Sequence, residues 1–316
     1  MSARWLFRRL FDLVFVMWFM ATVIFFLLRV IPGDPVLMLL GMDQVSKEAV
    51  AILRTEFGLD QSLLSQYFLW LANIITGDFG VSLRSGIPVI DLVRSALSVT
   101  FVLAMFALLI GVALSIPLGI AAARRQGRMT DLALTTSALF GISTPSFVLA
   151  LLGIYIFSVT LKWLPVAGYV PFLEDPLEAL RHMVLPSIAL GLVSAGILMR
   201  MMRRSVIDES GEEYVRTARA KGASEFKVFY GHIMRNALLP YMTLVGIEAG
   251  ILLSGTVITE SIFALPGLGR LMIENILHRD YPVVQAAVFV ITAIYVLANF
   301  LIDFLYTVLD PRIKVK

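Results

Sequence analysis

The chain has 316 residues, of which 59% are hydrophobic and only 16% charged. That balance excludes an ordinary soluble domain and makes a bilayer the expected solvent. The net charge of +3 comes from cations grouped in alternate loops, which fits orientation in a membrane rather than nucleic-acid binding, and the absence of cysteine removes disulfide, thiolate-metal and thiol redox chemistry.

A spanning helix needs about 20 largely apolar residues. Six stretches meet this: 10–28, 97–122, 132–160, 183–202, 241–262 and 283–308. The expected fold is therefore an all-α integral membrane protein with six transmembrane helices. Short ends at 1–9 and 309–316, an outer loop at 29–96 and a cytoplasmic loop at 203–240 complete it. The first span follows Arg4, Arg8 and Arg9 as a secretory leader would, but its apolar run is too long and IPGDP stands where a cleavage site belongs. It is read as a retained helix.

The outer loop predicts two short amphipathic helices. Val50, Leu53 and Phe57 recur at helical spacing before Gly58. Next, Leu64, Tyr67, Phe68, Leu71 and Ile75 share a face, with Asp60 as the expected N-cap and Gly77 as terminator. With Tyr67 and Trp70 as interfacial aromatics, these helices suit the outer membrane surface, a pore mouth or simple packing over the bundle.

Pro145, within GISTPS, interrupts the third span and predicts a kink, either structural or at a substrate path. In the fifth span Gly246, Gly250 and Ser254 form a small-residue ridge for close helix approach. Glu248 lies about 200° around the helix from the first two. A carboxylate at that depth has to face a watery cavity or a partner group, so it is both a pathway candidate and a candidate interhelical contact. Asp303, nearer a span end, is a weaker candidate.

Seventeen of the 26 cations fall on one side if the N-terminus is cytoplasmic: the three before the first span, Arg124, Arg125 and Arg128, eight between Arg200 and Arg235, and Arg312, Lys314 and Lys316. Both termini and the 203–240 loop are thus expected in the cytoplasm. No phosphate-cradling GxxxxGK[ST], HExxH or GxSxG occurs, and His182, His232 and His278 are isolated, so neither a catalytic centre nor a metal site is expected.

The cytoplasmic stretch EYVRTARAKGASEFKVFYGHIMRNALLP, 213–240, is the least membrane-like part of the chain. Its first part is helix-prone with a low-relief surface of Thr217, Ala218 and Ala220; Gly222 breaks it. A second helix is expected with Phe226, Phe229, Ile233 and Ala237 on one face, leading to Pro240. Such an elbow suits insertion into a groove of a cytoplasmic partner, since small side chains permit close backbone approach, or is an ordinary basic loop.

The pattern E-x-x-x-x-A-R-A-x-G followed by R-N-A-L-L-P resembles the cytoplasmic loop of ABC importer permeases, carried here by Glu213, Ala218, Arg219, Ala220, Gly222, Arg235, Asn236, Ala237 and Pro240. Tyr214 and Val215 depart from the EAA triplet that names the loop. IPGDP at 31–35, FGLDQSLLSQYFLWL at 57–71, GDFGVSL at 77–83, WLPVAGY at 163–169, ESIFALPGLGRLM at 260–272, RDYPVVQA at 279–286 and LDPRI at 309–313 resemble dipeptide, oligopeptide, glutathione and nickel importer permeases.

The resemblance implies a type I importer permease in a bacterial inner membrane, with a long structured outer loop after its first helix. It also implies a second homologous permease, two ATP-binding subunits that hold ATP and Mg, and an extracytoplasmic binding protein. Glu213, Thr217, Ala218, Arg219, Ala220, Lys221, Gly222 and Ala223 would then dock on an ATPase, with Arg235, Asn236 and Pro240 at the junction to the fifth span. Cargo would be small peptides or, alternatively, nickel complexes or glutathione. The rival readings are an autonomous proton-coupled carrier using Glu248 and a membrane enzyme.

Overall fold

The structure, a computed structural model, describes residues 3–30, 36, 47–56, 58–254 and 256–309. The IPGDP motif, Phe57, all but the first residue of LDPRI, and the side chain of Asp303 lie outside the described residues. Thirteen helices are taken here in chain order: α1 Ala3–Val30, α2 Lys47–Glu56, α3 Leu63–Thr76, α4 Val89–Arg124, α5 Met129–Ser143, α6 Ser146–Gly153, α7 Pro176–Ser210, α8 Glu213–Ala220, α9 Glu225–Val228, α10 Met234–Ser254, α11 Val257–Ile262, α12 Leu268–Leu277 and α13 Tyr281–Leu309. Among the described residues, five helical stretches are long and apolar enough to cross a membrane, and α5 with α6 makes a sixth if that bent pair is one span.

The bent pair is where the chain departs most from its sequence reading. Instead of one kinked helix over 132–160, α5 ends at Ser143, Thr144 is extended, and the two pieces meet at 97°. Proline disfavours helical geometry in the residue before it while suiting the start of a new helix. Pro145 accordingly sits just ahead of α6, which continues as a π-helical turn over Ile154–Thr160. The fifth apolar helix is shifted too: it runs through Pro240 and stops at Ser254, so the tail of 241–262 is the separate α11.

The chain divides into two compact units. The first comprises residues 1–100 and 266–297. In it α3 is capped by Ser62, whose Oγ accepts from Ser65 N, because a turn at 58–60 leaves Asp60 before the helix. Tyr67 and Ile74 are its buried side chains, while Leu64, Phe68 and Ile75 of the expected inner face are exposed. The helix is apolar on several faces, and the aromatic contacts of Phe25 with Tyr67 and Trp70 select which one turns inward. Farther along, the buried carboxylate of Asp280 accepts hydrogen bonds from Ser82 Oγ at 2.5 Å, Leu83 N at 3.2 Å and Arg84 N at 3.3 Å.

The second unit comprises residues 101–265 and 298–316. Its central helix is α7, which is largely buried and packs extensively on α5, α6 and α10. Small residues make this possible. A Cβ at Gly191 would stand 2.8 Å from Ala107 O of α4, and one at Gly196 would stand 2.7 Å from Ala138 O of α5. Beyond the apolar contacts, Arg203 of α7 clasps the buried Asp131 of α5 with two hydrogen bonds of 2.6 and 2.7 Å.

Candidate functional site

The elbow after α7 is built by its local sequence. Helix α8 covers eight residues and ends where Lys221 and Gly222 turn the chain; Gly222 has φ +78°, a conformation glycine adopts without a side-chain clash. Ser224 then caps α9 by accepting from Lys227 N, and Arg219 bridges the turn to Glu225 with bonds of 2.9 and 3.3 Å. From Phe229 to Ile233 the helix widens into a π turn before α10 begins. Turns of this kind alter helical register.

Val215 is the anchor. It is fully buried in a cluster with Leu198, Met202 and Val206 of α7, Val228 of α9, Phe229 and Ile233 of the π turn, and Ala237 and Tyr241 of α10. The expected face of Phe226, Phe229, Ile233 and Ala237 is corrected in one place. Phe226 is exposed, and Val228 takes the inward position of that turn. Phe226 pairs instead with Tyr230 across the surface, ring centroids 4.6 Å apart, and both are exposed.

Of the candidate docking residues, Glu213, Thr217, Arg219, Ala220, Lys221 and Gly222 are exposed, while Ala218 and Ala223 are half-buried against the Val215 cluster. Arg235 is exposed, Asn236 donates from Nδ2 to Tyr214 Oη at 2.9 Å, and Pro240 lies inside α10 rather than before it. The elbow thus presents a low, basic, partly aromatic surface on a firmly rooted base.

Two family descriptions match the chain. The model for the binding-protein-dependent transport system inner membrane component matches residues 115–315, and the N-terminal model of the same membrane components matches residues 2–104. The chain belongs to this family. It is a permease subunit of an ABC transporter and an integral, multi-pass membrane protein.

The permease is similar to a Brucella abortus protein that bears the provisional name of a peptide transport system permease: 42% identity over 307 residues, covering 97% of this chain and 98% of that one. The dipeptide transport system permease protein of Alkalihalophilus pseudofirmus is 37% identical over 328 residues, again covering 97% and 98%. In fold it resembles a chain of the inward-facing MetNI methionine ABC transporter, with TM-score 0.56 and 16% identity, covering 70% of this chain and 97% of that one. The type I importer fold expected from the resemblance is shown.

Within the permease, Glu248 is buried and accepts from Ser194 Oγ of α7 at 2.9 Å, so in this chain it meets a partner group. Gly246, on another face of α10, lies against Ile302 of α13: a Cβ there would come within 2.6 Å of Ile302 Cγ1. Pro145 marks the α5–α6 break, beside a largely apolar cavity of about 410 Å³ whose lining includes Leu114, Phe140, Thr144, Leu149 and Met199.

Sequence reasoning missed Asp131 and Asp280. Both are buried carboxylates that hold loops: Asp131 also accepts from Gly127 N at 2.9 Å, and Asp280 ties the GDFGVSL segment to RDYPVVQA. Their position beside arginines, Asp131 after Arg128 and Asp280 after Arg279, disguised them as ordinary surface charges.

Proposed function

We propose that this permease forms half of the translocation pathway of a peptide importer in a bacterial inner membrane, with both termini and the α8–α9 elbow in the cytoplasm. A second homologous permease completes the pathway. Two cytoplasmic subunits bind and hydrolyse ATP with Mg, and an extracytoplasmic binding protein delivers the cargo. The single observation that carries this reading is the elbow: a small-residue surface open to a partner, on a helix whose Val215 is sunk among α7, α9 and α10.

Glu213, Thr217, Arg219, Ala220, Lys221 and Gly222, with Ala218 and Ala223 at the edge, seat in a groove of an ATPase subunit, and the Phe226–Tyr230 pair extends the contact. Closure of the ATPases then displaces the elbow, and the attached spans switch the cavity between inward and outward access. Grouping of cations on the elbow side supports the orientation. The lack of a phosphate-cradling loop fits hydrolysis on the partners, and the relatives' names support peptides as cargo.

The cargo is tested by uptake into proteoliposomes that hold the assembled importer, using labelled peptides of two to five residues, nickel ions and glutathione. Accumulation of peptides is expected. Accumulation of nickel or glutathione alone would contradict the cargo assignment.

A further inference from the structure

Three helix ends meet at one phenol. Tyr214, the second residue of α8, donates from Oη to the Glu209 carboxylate near the end of α7 and accepts from Asn236 Nδ2 in the first turn of α10. Tyr214 is 36% exposed, and partial desolvation first, with the bond to Glu209 second, pushes its phenol above the ordinary pKa, so the proton it donates is held at physiological pH. The hydrogen-bonding capacity is used in one direction: amide to phenol, phenol to carboxylate. Tyr214 and Val215 are the two positions at which the sequence departs from the EAA triplet, and each fastens α8 in its own way.

The two fastenings differ in mechanical kind. Val215 enters an apolar cluster, whose contacts hold α8 down but are non-directional and do not by themselves fix its angle. A hydrogen bond to a charged acceptor is strong and directional, so the Glu209–Tyr214–Asn236 chain sets the angle of α8 against α7 and α10. We propose that Tyr214 is the positioning residue for coupling: its phenol locks α8 to α7 and α10, so that displacement of the elbow moves both spans as one body.

This rests on the reading that α8 docks on an ATPase. Without the phenol bridge, α8 would still seat and ATP would still be hydrolysed, but the helix would pivot on Val215 and motion would be lost before the spans. A purely structural role would lower assembly and hydrolysis together. A positioning role separates uptake from hydrolysis.

The test uses the complete importer in proteoliposomes. Because the chain has no cysteine, Glu212→Cys at the exposed N-cap of α8, outside the docking face, and Ile251→Cys at an exposed site on α10 allow a pair of spin labels on it. With wild-type Tyr214 the α8 label responds to ATP while the distance between the labels stays constant. In Tyr214→Phe the same complex assembles and hydrolyses ATP, the distance changes with ATP, and peptide taken up per ATP falls about fivefold or more, as expected for loss of a charge-assisted bond.

Glu209→Gln keeps an acceptor for the phenol but removes its charge, and loses less of the ratio than Tyr214→Phe; Glu209→Leu behaves as Tyr214→Phe. Wild-type coupling and a constant distance in Tyr214→Phe would overturn the relay while leaving docking intact. An α8 label in the wild-type chain that ignores ATP would overturn the docking reading, and the relay with it.

Discussion

Glu248 shows how much a single residue's meaning depends on its neighbours. A carboxylate in an apolar helix is a functional candidate because its burial is costly without a partner. Here Ser194 supplies one hydrogen bond and leaves further acceptor capacity on the carboxylate. Glu248→Gln should keep the bond to Ser194 and transport near wild type. Glu248→Leu should alter relative uptake across a peptide panel by about threefold or more, because it removes the carboxylate's remaining acceptor capacity that a passing peptide could use. Unchanged ratios in Glu248→Leu would make Glu248 a packing residue.

The angular position of Glu248 was legible from spacing alone, since helical period places it away from Gly246 and Gly250. Ser194 as its partner was not, because tertiary contacts leave no local pattern. The same reason hid Asp131, whose partner Arg203 is 72 positions away.

At the scale of elements, apolar runs marked the long helices well, and prolines and glycines marked their punctuation less well. Pro145 broke the helix where a kink was expected, and Pro240 lay inside a helix where a boundary was expected. Proline excludes one hydrogen bond and biases its predecessor, but whether the chain bends or breaks depends on how flanking helices pack. The α3 face was ambiguous because exposed Leu64, Phe68 and Ile75 are as apolar as buried Tyr67 and Ile74. In a membrane protein, hydrophobicity does not separate core from lipid.

The elbow was legible because its residues are polar and small in an otherwise apolar chain. Its decisive variants are Gly222→Arg and Ala220→Arg. Among the described residues no atom lies within 4 Å of a Cβ placed on Gly222, so the first side-chain carbon is accommodated, although its φ makes any side chain cost about 1 kcal/mol. Both variants should insert normally, yet ATP-dependent uptake should fall at least about tenfold because the docking contact is obstructed. Ala218 is a poorer test site, since it packs against the Val215 cluster and a charge there would disturb the fold itself. Normal uptake in both variants would remove the elbow from the coupling path.

For the whole molecule, the proposed function puts energy release on partner subunits and cargo passage in this chain. The described residues provide helices long and apolar enough to cross a membrane, a rooted elbow, and buried polar clasps at Asp131 and Asp280 that keep loops in place. A carrier acting alone would draw on an ion gradient, with Glu248 as its titrating group. In the proposed function, this permease transports only with ATP and its partner subunits.

The most direct measurement is peptide uptake by proteoliposomes in two preparations, one holding this chain alone and one holding the assembled importer with its binding protein. Each is supplied in turn with ATP on the cytoplasmic side or with a proton gradient. Accumulation against a gradient by the assembled complex, with ATP only, is the predicted result; accumulation by the isolated chain under a proton gradient would contradict it.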